Sequence, residues 1–147
     1  MSKLLFFFLM MIVSTSGFAQ SLVSWDTFAQ VTFHKKYSET FGFEVNVKPP
    51  EFASKLLAYQ GKEILVKGYV IPVDVELGMY MVSANAFANC FFCGNAGPET
   101  VVEIFPSSKL PRFSTDQIVT FKGILQINKE GEMNAVPYQM FQAKVVK

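Results

Sequence analysis

Cysteine and histidine are scarce, with two cysteines and one histidine among 147 residues. That excludes a self-contained zinc knuckle of the usual kind, whose four ligands come from two such cysteine or histidine pairs. Charge is also thin and balanced, at 17% of residues with 13 basic and 12 acidic side chains, so there is no basic field for nucleic acid and no acidic tail. No phosphate-cradling glycine loop, nucleophile triad, zincin helix or EF-hand pattern is present. What is plentiful is apolar surface: 50% of residues are hydrophobic and 15% aromatic. Such a chain is not intrinsically disordered, and its length supports one compact domain.

The N-terminus reads as an export signal. Lys3 opens it, Leu4 to Val13 are ten uninterrupted apolar residues, and Gly17-Phe18-Ala19 places small residues where a signal peptidase reads. A membrane span needs about 20 apolar residues, and Ser14, Thr15, Ser16 and Gly17 interrupt this run first. Residues 1–19 are therefore expected to be cleaved, leaving residues 20–147 as one domain with no transmembrane anchor. Removing Lys3 leaves the mature chain electrically neutral. An exported protein enters a compartment where thiols can be oxidised.

Along the mature chain the dominant period is two. Phe41, Phe43, Val45 and Val47 alternate with polar residues, as do Ala29, Val31 and Phe33 just upstream, which predicts an N-terminal hairpin closed through residues 35–40. Pro49 and Pro50 are expected to end that strand and open a short helix to about Tyr59. Trp25 is placed over an open edge of the core. Five further strands follow: Ile64 to Ile71, Met79 to Ser83, Thr100 to Phe105, Gln117 to Ile127 and Tyr138 to Val146. The first is apolar on both faces and so central; Gly68 and Gly123 mark a bulge, a corner or a close backbone approach. Lys129-Glu130-Gly131 predicts a reversal. The fold class is mainly β, a small five-stranded, partly open barrel of the oligonucleotide- and oligosaccharide-binding (OB) type with an N-terminal hairpin and short helix.

Cys90-Phe91-Phe92-Cys93-Gly94 is the one compact arrangement of reactive side chains. Two cysteines at this spacing can close a disulfide ring, share a metal ion or act as a redox dithiol. Cys90 and Cys93 supply half of a zinc site. Glu99 and His34 are the candidate further ligands, with Asp74, Glu103 or the same knuckle of a second molecule as other sources. Mixed sulfur and oxygen donors suit zinc over calcium or magnesium; Met79 and Met81, which would argue for copper, read first as core filling. As a dithiol enzyme the pair lacks a following helix to stabilise a thiolate, because Gly94, Asn95, Gly97 and Pro98 leave no room for one. On that reading Cys90 attacks, and Cys93→Ser traps the mixed disulfide. Phe87, Phe91 and Phe92 give the pair an apolar surround.

The segment Ile64-Leu65-Val66-Lys67-Gly68-Tyr69-Val70-Ile71-Pro72, the cysteine loop, the strand from Glu99 to Phe105 and Phe121-Lys122-Gly123 together resemble an uncharacterised bacterial family of secreted or periplasmic proteins, classed as a domain of unknown function. The resemblance covers roughly residues 50–146. Relatives commonly carry a cysteine in the loop before the third strand, followed by a histidine and a proline-rich stretch; Cys90 matches that cysteine, and Cys93 departs from the histidine-containing form. The resemblance implies a small extracytoplasmic β domain associated with envelope transport or metal handling.

Together these readings predict a non-enzymatic accessory or binding module, periplasmic or secreted, with a CxxC site that is a candidate for zinc. Two alternatives are a thiol–disulfide protein acting on an envelope partner and a structural interaction domain with an inert disulfide. An envelope protein, a metal ion or a second copy of the chain are the candidate partners, and nucleic acid is not expected.

Overall fold

A computed structural model of the protein describes residues 21–130 and 136–146. Residues 1–19, for which an export signal is expected, and Gly131 lie outside them. The main chain forms β1 (Ser21–Leu22), α1 (Trp25–Phe28), β2 (Val31–Ser38), β3 (Phe43–Phe52), α2 (Ser54–Leu57), β4 (Glu63–Asp74), β5 (Met79–Ser83), β6 (Val101–Pro106), β7 (Ile118–Ile127) and β8 (Tyr138–Val146), with three single-turn 3-10 helices between β5 and β6.

The sheet runs β1-β4-β5-β6-β8-β7, and β7 returns to pair with β4. Five strands, β4 to β8, thus close on themselves, with β6 and β8 parallel and the other barrel pairs antiparallel. The barrel is closed rather than partly open. Closure is possible because β4 serves two partners: its first half, Glu63 to Tyr69, pairs with β7, and its second half, Tyr69 to Asp74, pairs with β5. Gly68 sits at the changeover. A Cβ there would collide with the Ser83 carbonyl oxygen and the Val82 side chain, so glycine lets the two backbones meet at the corner.

Inside, alternation does what the pattern predicts. Val66, Val70, Val82, Val102, Phe121 and Leu125 are wholly buried, and each such side chain contributes roughly 1.5–3 kcal/mol. One end of the barrel is plugged from outside the sheet. Phe28 and Leu56, both fully buried on short helices, pack with Tyr138, whose ring lies 4.8 Å from that of Phe28 and whose hydroxyl donates to the Phe28 carbonyl at 2.5 Å. The edge of β4 beyond the end of β5 is also covered. Val23 N–H donates to Leu65 O, and the Trp25 indole donates to Lys67 O at 2.9 Å, so Trp25 does occupy an open edge.

Three expectations need correction. β3 continues through Pro49 and Pro50 to Phe52, and helix α2 is one turn, Ser54–Leu57. Proline is tolerated because β3 belongs to a two-stranded ribbon and has solvent on its far side. Phe141, which strict alternation along Tyr138 to Val146 would place on one face with Ala143 and Val145, faces outward: Gln142 adopts φ 53°, and the register of β8 slips there against both neighbours. The inserted residue changes the parity, so Met140 and Ala143 both point inward. β4 runs past the expected end at Ile71 to Asp74: Pro72 still pairs with Tyr80, and a register shift follows before Asp74.

Candidate functional site

The cysteines lie in the connection from β5 to β6, residues 84–100, whose base is tied by Ala84 N–H donating to Thr100 O. Two successive 3-10 turns, Phe87–Asn89 and Phe91–Cys93, fold it tightly. Cys90 is the joint between them, extended at φ −88° and ψ 178°, and Gly94 ends the second turn in the left-handed region at φ 73°. The first turn is anchored to the barrel by Asp116, whose carboxylate accepts the Phe87 N–H at 2.7 Å, and Asn95 closes back onto the Ala88 carbonyl at 2.9 Å.

This geometry gives the two thiols unequal access to solvent. Cys90 is fully buried and Cys93 is exposed, and both are free. Cys93 nevertheless turns its sulfur inward, donating to the Phe87 carbonyl at 3.0 Å. Its pKa is raised, first by loss of water around the sulfur and then by charge repulsion from and hydrogen bonding to the neighbouring Cys90 thiol. The pair is thus together, with one member reachable from solvent and the other behind it.

The remaining predicted ligands sit elsewhere. His34 lies on the ribbon, with Nε2 2.9 Å from Glu51 Oε1, and Lys48 reaches the same carboxylate oxygen. These two cations lower the Glu51 pKa, Lys48 more than His34; the ribbon's charge pairs are lost as pH falls through that lowered value. Glu99 folds its carboxylate over Gly97 and faces the buried Tyr138 hydroxyl, whose pKa is raised by burial first and by Glu99 second. Among the described residues no three of His, Cys, Asp and Glu are gathered as a metal ion needs. Further ligands for an ion at Cys90 and Cys93 would come from outside this described set.

Asp116 is the residue that motif reasoning missed. It holds φ 64°, which few residues other than glycine, asparagine and aspartate adopt readily, and its N–H donates to Val70 O on β4. The available signal was Ser114-Thr115-Asp116-Gln117, a cluster of turn-forming residues.

No family model and no curated protein matches the chain. Among solved structures it is similar to the crystal structure of a DUF3299 family protein from Pseudomonas aeruginosa PAO1, at 14% sequence identity and a TM-score of 0.45, over 67% of this chain and 68% of that chain.

Proposed function

We propose that this chain is a non-enzymatic extracytoplasmic accessory module that engages an envelope partner at the cysteine end of its barrel, with Cys90 and Cys93 as a thiol pair that opens and closes there. The observation that carries this reading is the placement of a fully buried thiol directly behind an exposed one. The export pattern in residues 1–19 supports a compartment in which such a pair can be oxidised.

Access sets the order of events. Cys93 alone can meet a partner's disulfide, and Cys90 is the thiol that then resolves it, which reverses the order the spacing first implied. The pKa of Cys93 is raised by desolvation and by the neighbouring Cys90, so less of it is thiolate at a given pH than of a free cysteine. Alkylation of the folded protein should modify Cys93 alone, with a rate that rises at higher pH than for a free cysteine. Equal labelling of both cysteines would remove the reading.

The same adjacency supports zinc as a second reading, with two thiolates from one copy and the remaining ligands from another. Here a cation would lower the thiol pKa values it coordinates. Native mass measurement would then find one zinc per two chains, lost with a chelator; apoprotein that gains no mass with added zinc rules this out.

A further inference from the structure

The β2–β3 ribbon leaves the barrel at Val31 and Phe52 and from there pairs with itself; no barrel element shares an extended contact with it. A lone two-stranded ribbon is marginal in water. This one exposes aromatics at its tip: Phe41 and Phe43 are 52% and 53% exposed, with ring centroids 5.8 Å apart. Its edges are poorly suited to strand addition. β3 carries Pro49 and Pro50, and antiparallel self-pairing centred on Lys35 and Lys36 in the middle of β2 would set Lys35 of each copy against Lys36 of the other. The ribbon is left with its side-chain faces for burial.

A matching concavity lies on the outer surface of β5 and β6. It measures about 230 Å³ and is walled by Val73, Leu77, Met79, Met81 and Phe105, with Glu103 in its lining. Phe105 is held in place by stacking on Phe141, with centroids 4.7 Å apart and planes 9° from parallel. The volume falls below the roughly 300–1,000 Å³ of small-molecule sites, which favours a protein side chain as occupant. Methionine walls adapt to an aromatic guest.

We propose that the Phe41–Phe43 tip of one copy seats in this groove of a second copy, and reciprocally, to form a two-fold dimer. Both halves of the contact are on the same chain, and neither is covered by its other described residues. Charge selects the orientation. Pairing of Ser38 with Phe43 and of Lys36 with Val45 puts Lys36 on the same ribbon face as Phe43, and the groove offers Glu103 as its counter-ion.

Sedimentation velocity over a concentration series tests this on the purified chain. The wild type is expected to dimerise. Phe41→Ser with Phe43→Ser should weaken the dimer by at least about thirtyfold, the scale of a hot-spot loss, with far-UV circular dichroism unchanged. Met79→Glu should do the same from the groove side. Lys36→Glu or Glu103→Lys alone should weaken association, and the two together should restore it. A monomeric wild type, a dimer indifferent to the tip variant, a charge swap without rescue, or an arm that instead binds anionic lipid vesicles as a monomer overturns the proposal.

Discussion

Cys90→Ala should accumulate a stable mixed disulfide on Cys93 when the folded protein meets oxidised glutathione, whereas Cys93→Ser should form none. Access decides the outcome. Cys93 is the exposed thiol and Cys90 is fully buried, and exchange needs the attacking thiolate to approach one sulfur of the substrate disulfide. In the first step the Cys93 thiolate bonds to one glutathione sulfur and the other leaves as a thiolate. In the second, the Cys90 thiolate attacks the Cys93 sulfur and expels the remaining glutathione, so the protein dithiol is oxidised by two electrons and one glutathione disulfide is reduced. Removing Cys90 leaves only the first step. Alanine is the suitable replacement because the site is closed to water, and a serine hydroxyl would be buried there at a cost. Intact mass spectrometry reads the adduct; an adduct on Cys93→Ser that is absent from Cys90→Ala would reverse the assignment of roles.

The second large effect is on stability. Tyr138→Ala should destabilise the fold by about 3–5 kcal/mol, the usual loss for a large aromatic removed from a core. Tyr138 is fully buried, packs on Phe28 and lies 6.2 Å from the Phe52 ring at the root of the ribbon. Tyr138→Phe keeps the packing and removes only the hydroxyl, which leaves the Phe28 carbonyl without its 2.5 Å donor. That should cost about 1–3 kcal/mol. Denaturant melts of both variants separate the two contributions. Equal losses would mean that packing at this plug counts for little.

The barrel was largely legible in the sequence because its strands follow the pleat. Met79–Ser83 and Tyr138–Val146 are strands with the bounds that alternation indicates, and Gly68 marks the corner of β4 where a side chain has no room. Legibility ends where a single residue breaks the period. Gln142 adds one position to β8 and sends Phe141 outward, and nothing about glutamine announces a left-handed backbone. Pro49 and Pro50 read as a stop, because a strand inside a sheet cannot spare the N–H groups, whereas a free ribbon can. The Cys90–Cys93 spacing identified the candidate site, and adjacency of the thiols follows from it. Their unequal exposure does not. It depends on two 3-10 turns meeting at Cys90 and on Asp116, distant in sequence, holding the first of them. His34 and Glu99 were plausible ligands by residue type alone, and the fold engages them with Glu51 and beside Tyr138 instead.

Equilibration of the folded protein in a series of glutathione redox buffers, followed by acid quench and intact mass measurement, tests the reversible thiol pair most directly. A single two-electron transition is expected between the dithiol and a form lighter by two hydrogens, reversible in both directions and abolished in either cysteine variant. A protein that stays in one form across the whole series, or that gains only glutathione adducts without closing the ring, would contradict it.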